Sequence, residues 1–210
     1  TAPSAEDELI KNFVFDMGEV LIHFNVQDFA ARYTDSAEDM ALLMDEGFEG
    51  NADWSLCDWG YIDEAEVARR ALANLPERLH GIAVQIATRW WEPIIPIEGM
   101  ADVMRRIKDA GYGLYLLSNA GSTHNHYWQF VPGHEYFDGV VVSSSEKLVK
   151  PQPEIFRLTL ERFGLNADEC IFVDDRETNL AGAEVCGINS LIFKGKEDFL
   201  KRLCGLGIEI

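Results

Sequence analysis

The sequence predicts an α/β protein: a doubly wound parallel sheet with a small helical domain inserted after its first strand. Three observations predict it. Short apolar runs rich in β-branched and aromatic residues alternate with helix-like stretches behind position 96. Roughly ninety residues of helical character separate the first such run from the second. Each run ends in polar or acidic residues, where open α/β sheets place their ligands.

The first strand is Phe13-Val14-Phe15, bounded by Asn12 and by the turn-like Asp16-Met17-Gly18. Helical starts and stops fill the next stretch. Asp63 with Glu66 reads as a capping box opening a helix over 65–72, Pro76 interrupts it, and a second helix runs over 77–91 before Pro93 and Pro96. Beyond Pro96 come a helix over 101–110 stopped by Gly111, a strand over 112–117, an apolar run at 140–142 and a helix over 153–163 stopped by Gly164. A strand over 170–173, a helix over 178–186 stopped by Gly187 and a strand over 190–193 complete the series. The expected division is a core of residues 10–24 plus 96–210 and a helical lobe of 25–95, with 1–9 outside the fold.

Composition narrows the function. The 210 residues carry 36 acidic and 18 basic side chains, a net charge of −18, which opposes approach to a phosphate backbone or an anionic bilayer. Half of that excess lies in 25–95, where 14 acidic side chains face 5 basic ones. No apolar stretch approaches the roughly 18 residues of a membrane helix, and the polar, acidic residues 1–8 lack a signal-peptide pattern. Cys57, Cys170, Cys186 and Cys204 are scattered without metal-site spacing, as free thiols in a reducing compartment would be. The expectation is a cytoplasmic protein with no nucleic-acid or membrane partner; composition leaves monomer and homodimer open.

The strand ends supply Asp16, then Ser118-Asn119, then Lys150 a few residues after the third strand, then Asp174-Asp175. Carboxylates from two strands can hold a hard divalent cation such as magnesium. A lysine compensates an anionic substrate, and a hydroxyl and an amide can donate to phosphoryl oxygens. The set reads as a phosphoryl-transfer site.

These segments, Phe15-Asp16-Met17-Gly18-Glu19-Val20, Leu116-Leu117-Ser118-Asn119, Val149-Lys150-Pro151-Gln152-Pro153 and Val173-Asp174-Asp175-Arg176-Glu177-Thr178-Asn179, together resemble the haloacid dehalogenase superfamily. The resemblance implies a Rossmann-like core with a helical cap, and a magnesium-dependent hydrolase working through an aspartyl-phosphate. It implies Asp16 as nucleophile and metal ligand, Lys150 as the stabilising charge, and Ser118, Asn119 and Lys150 on the phosphate. It implies Asp174 and Asp175 at the metal, with Asp175 the direct ligand and Asp174 orienting, in an order that could be reversed. The expected substrate is a small phosphorylated metabolite.

One position departs from that pattern. The family's usual second aspartate, an acid and base two residues after the nucleophile, is here Gly18, whose carbonyl can still bind metal. Three readings follow: a leaving group that needs little protonation, such as an anomeric sugar oxygen; an acid borrowed from elsewhere, Glu19 and His23 being near in sequence; or a protein that binds a phosphometabolite or protein partner with little turnover. The first is favoured, because Gly18 and the run Trp59-Gly60-Tyr61-Ile62-Asp63-Glu64-Ala65 resemble a branch containing bacterial sugar-phosphate phosphatases, including one acting on α-glucose 1-phosphate. Dehalogenation is disfavoured, since the dehalogenases lack the paired acids. His23 is the candidate for a substrate contact outside the motifs. Trp54, Trp59, Trp90 and Trp91 read as core of the helical lobe, and His124 and His126 as a surface loop or helix start.

Overall fold

The computed structural model describes residues 10–48 and 53–210; the expectation for 1–9 lies outside them. Five strands, β1 (Asn12–Phe15), β2 (Gly113–Ser118), β3 (Gly139–Val142), β4 (Cys170–Asp174) and β5 (Asn189–Ile192), form one sheet in the order β3-β2-β1-β4-β5, every pair parallel. β1 and β4 are almost wholly buried, as strands covered on both faces must be. Register aligns Phe15 with Leu116 on one side and Val173 on the other. The residues that follow these three strands therefore emerge side by side. The chain runs outward from β1 to β3, then crosses back to β4 and β5, so β1 is the topological switch point.

Side-chain alternation divides the core into two layers. Phe13 and Phe15 point to one face, where Met104, Ile107, Phe199 and Leu203 pack on them from α6 (Met100–Asp109) and α11 (Lys196–Gly205). Val14 points to the other face, with Ile155, Phe156 and Leu180 from α9 (Pro153–Phe163) and α10 (Glu177–Glu184). The sequence reading stops short of α11, whose Phe199 and Leu203 repeat at helical spacing.

Between β1 and α6 lie α1 (Val26–Ala30), α2 (Ala37–Leu42), a π-helical turn over Leu43–Phe48, α3 (Asp53–Asp58), α4 (Glu64–Asn74) and α5 (Glu77–Arg89). Their own apolar core joins Leu43, Val67, Ala71, Leu79, Ala83 and Ile86. Only half of the expected capping box forms. Asp63 accepts from the Glu66 N–H at 2.8 Å, whereas the Glu66 carboxylate turns to Arg69 and Arg70, at 2.6 and 2.7 Å. The insert's two connections run antiparallel: Ile22 bridges Pro96, the His23 N–H donates to the Ile95 carbonyl and the Ile97 N–H to that of Leu21. Short helices α7 (His124–Tyr127) and α8 (Ser143–Glu146) follow β2 and β3. Among the described residues no helix is long and apolar enough to cross a membrane.

Candidate functional site

A cleft of about 370 Å³ opens where the strand ends meet the insert. Its floor holds Asp16, Gly18, Ser118, Asn119, Lys150 and Asp175; its roof holds Phe24, Trp54, Asp58, Glu64 and Trp90. Asp16, Asp174 and Asp175 offer carboxylate oxygens within 4.8 Å of one another. Lys150 sits between two of them, with Nζ 2.8 Å from Asp16 Oδ1 and 2.7 Å from Asp174 Oδ2. Burial alone would strip its proton, but the two carboxylates hold its pKa above the ordinary lysine value. Burial lifts the Asp16 carboxyl to about 6 against the pull of Lys150, and Asp174 adds to the rise.

The pair at the end of β4 divides its labour. Asp174 is fully buried, and both its oxygens are engaged by protein donors: Lys150, the Arg176 N–H at 2.8 Å and the Asn179 amide at 3.0 Å. Asp175 faces the cleft, its pKa raised by burial and by the charge of Asp174. A hard cation bound among these oxygens would find free coordinating capacity on Asp16 and Asp175 rather than on Asp174.

Asn119 differs from expectation. Its carbonyl oxygen accepts from the Lys150 N–H at 2.8 Å and its amide donates to the Lys150 carbonyl at 3.0 Å. The side chain thus clamps the backbone that aims the lysine and still keeps one amide hydrogen at the cleft, where Ser118, buried at the end of β2, also offers its hydroxyl. His23 also departs. Ile22 is buried behind it and Phe24 enters the cleft ahead of it, so the alternation of an extended chain turns His23 out to solvent, 3.5 Å from Glu19 Oε2 and away from the cleft.

The aromatic and histidine readings split. Trp54 packs on the core of the helical lobe, as expected, whereas Trp90 and Trp91 join the main core; Trp54 and Trp90 also line the cleft, where Trp90 meets Phe24 edge-on at 4.8 Å and Tyr127 at 4.9 Å. Trp59 stacks on exposed Tyr61 instead of entering a core. His126 is exposed on α7; His124 is buried against Tyr127 and Trp128, and burial pushes its pKa down to about 4.

Sequence reasoning missed the roof. Glu64 is buried against the loop that follows β2, accepting from Ser122 Oγ at 2.8 Å and from the Thr123 N–H and hydroxyl at 2.8 and 2.7 Å. Gly121 makes this approach possible, since a Cβ there would lie 2.6 Å from Cys57 Sγ and 3.0 Å from Glu64 Cδ. Asp58 ends α3, and its carbonyl accepts from buried Ser143 Oγ at 2.6 Å. Burial, then the charge of Asp16, pushes the Asp58 carboxyl up to about 7. The available signal is Asp58 itself, an acid immediately before the run Trp59-Gly60-Tyr61-Ile62-Asp63-Glu64-Ala65.

Residues 10–187 match the family described as haloacid dehalogenase-like hydrolase. Among curated proteins, a glyceraldehyde 3-phosphate phosphatase of Pyrococcus abyssi is 28% identical over 102 residues, 47% of this chain and 42% of that protein. The haloacetate dehalogenase H-2 of Moraxella sp. is 25% identical over 194 residues, 86% of each chain. The chain spans less than two thirds of the length of the first curated relatives it matches, 42% and 63%. A HAD family enzyme of Bacteroides thetaiotaomicron, solved in complex with magnesium and inorganic phosphate, shares the fold at a TM-score of 0.66 and 23% identity, over 92% of this chain and 98% of that one.

Proposed function

Because the chain belongs to the haloacid dehalogenase-like hydrolase family, we propose that it is a magnesium-dependent phosphatase acting on a small phosphate monoester, a sugar phosphate by preference, through an aspartyl-phosphate on Asp16. The observation that carries this reading is the cluster of three carboxylates within 4.8 Å, with Lys150 ion-paired to two of them. The acids Asp174 and Asp175 beside the nucleophile favour a metal-assisted phosphoryl site over carbon–halogen hydrolysis, which needs no divalent cation. The phosphatase among the relatives and the magnesium–phosphate complex among the structures of like fold point the same way.

In this reading the insert over 25–95 is the cap, and the core supplies the chemistry. Asp16 Oδ attacks phosphorus as the ester P–O bond breaks, and water then cleaves the acyl phosphate to return the carboxylate. The Ser118 hydroxyl donates to a phosphoryl oxygen, and Lys150, aimed by Asn119, holds positive charge beside nucleophile and phosphate. Asp16, Asp175 and the Gly18 carbonyl would hold the magnesium, which supplies positive charge against the phosphoryl oxygens. Asp174 orients Lys150 and the loop into α10.

The roof supports the sugar-phosphate reading. Phe24, Trp54, Trp90 and Tyr127 present ring faces and edges to the space above the phosphate site, a surface suited to the C–H face of a sugar ring. A cleft of about 370 Å³ lies at the small end of ligand sites. The test is phosphate release with and without magnesium from aryl, alkyl and anomeric sugar phosphates, with haloacetate as the dehalogenase control and Asp16→Asn as the site control. Release that needs both magnesium and Asp16 supports the phosphatase. Halide release, or no turnover by a folded, metal-binding protein, overturns it.

A further inference from the structure

The cleft lacks a carboxylate at position 18, and nothing in the backbone forbids one. A Cβ on Gly18 would lie 3.6 Å from Phe24 Cβ, an ordinary contact, and the residue does not adopt a left-handed conformation. Proton transfer to the leaving oxygen therefore falls to another group in the cleft, if it happens at all.

Most acids of the cleft are already engaged. Asp16 and Asp175 are the proposed nucleophile and metal ligand. Glu64 is held by Ser122 and Thr123. Glu19 accepts from the Phe24 N–H at 2.6 Å and faces His23 with its other oxygen. Asp58 differs from all of these. Among the described residues no hydrogen-bond donor or ion-pair partner holds its carboxyl, which lines the cleft opposite the floor.

Its main chain, by contrast, is fixed to the core. Ser143 Oγ donates to the Asp58 carbonyl at 2.6 Å, Lys147 Nζ donates to the Gly60 carbonyl, and the Gly60 Cα packs against the Ser144 carbonyl. A side chain free at its tip and anchored at its base is placed as a proton-transfer group requires. Resting on the phosphatase reading, we propose that Asp58, carried into the cleft by the insert, replaces the missing carboxylate of position 18 as general acid and then general base.

The protons balance. As Asp16 Oδ bonds to phosphorus and the ester P–O bond breaks, the Asp58 carboxyl gives its proton to the departing alkoxide oxygen, leaving an alcohol and the Asp58 carboxylate. As water attacks the aspartyl-phosphate, that carboxylate takes the water proton, the P–O bond to Asp16 breaks, and phosphate leaves with Asp58 again protonated. The groups facing Asp58 support the starting state: burial, Asp16 after β1 and Glu64 on α4 favour the protonated form, and only Lys150 before α9 and Arg176 before α10 oppose it.

The test compares wild type, Asp58→Asn and Asp58→Glu on an alkyl phosphate and on an aryl phosphate whose phenolate leaves without a proton. Asp58→Asn is expected to lose about 10²–10⁴-fold in turnover of the alkyl ester, with Asp58→Glu recovering part of it. On the aryl ester Asp58→Asn should release one equivalent of phenol in a fast first turnover and then stall, because the acyl phosphate waits for a base. Alkyl turnover by Asp58→Asn within about threefold of wild type overturns the assignment. So does equal slowing of the first aryl and first alkyl turnovers, which would make Asp58 a positioning residue. A wild type with no magnesium- and Asp16-dependent turnover fails the phosphatase reading itself, a result distinct from either.

Discussion

Gly60→Ala perturbs the joint between insert and core at one atom. Gly60 has φ +65°, and a Cβ there would lie 2.9 Å from the Ser144 carbonyl carbon and nearer still to its oxygen. The left-handed backbone alone costs an alanine about 1–2 kcal/mol. The obstacle is main chain, so the turn cannot yield by rotating a side chain and must lift off α8. At about 2–4 °C per kcal/mol for a chain of this size, the melting temperature should fall by about 2–8 °C. Lifting the turn also moves Asp58, two residues earlier; a displacement near 1 Å costs about 10²-fold in rate. Gly81→Ala is the control, since Gly81 lies inside α5 with nothing within 4 Å of its would-be Cβ. It should gain about 0.5–1 kcal/mol and leave turnover unchanged. Calorimetry and alkyl phosphate kinetics on both variants check the argument. A Gly60→Ala protein that melts and turns over like wild type would refute the docking of this turn.

Three further outcomes are expected. Lys150→Ala leaves the buried carboxylates of Asp16 and Asp174 without their shared cation, so urea unfolding at pH 8 should show a loss of about 3–5 kcal/mol, shrinking toward pH 5 as Asp16 takes up a proton. Asn119→Ala removes both bonds that clamp the Lys150 backbone; stability should fall by about 1–3 kcal/mol, with kcat falling more than KM rises, measured by steady-state kinetics. Asp58 binds its proton more tightly folded, at about 7, than unfolded, near 3.8, so the native state loses stability as pH rises through that interval. Melting curves of Asp58→Asn and wild type should therefore draw apart in favour of the variant from pH 4 to pH 7.

The floor of the site was legible because Asp16, Ser118 and Asp175 end or directly follow strands and Lys150 follows β3 within a few residues, and strand ends can be read from short apolar runs. Asp16, Ser118, Lys150 and Asp175 all reach the cleft on that logic. Asn119 reaches the cleft as well, but its clamp on Lys150 was not legible, because nothing local reveals that an amide will pair with a backbone 31 residues away. The roof was illegible for the same reason: Asp58 and Glu64 meet the floor through Ser143, Ser122 and Thr123, contacts set by how the insert folds over the core. Single-residue alternation would have turned His23 away from the cleft had the chain from 21 to 24 been recognised as extended. The outer helices α7 and α8 are too short to leave a periodic trace.

The antiparallel bridge between Ile22 and Pro96 means that the insert departs and returns through one doorway. With its ends adjacent and an apolar core of its own, the insert is a cassette: a lobe of different length or sequence can be spliced between 24 and 95 without altering the register of any strand. The seam is not wholly clean, because Trp90 and Phe29 pack into the main core beside Tyr127, and a graft that omits them would bare that aromatic surface. On the proposed phosphatase reading an exchange must keep Asp58 as well as these two residues, and the substrate range of such a chimera would then report what the rest of the lobe selects.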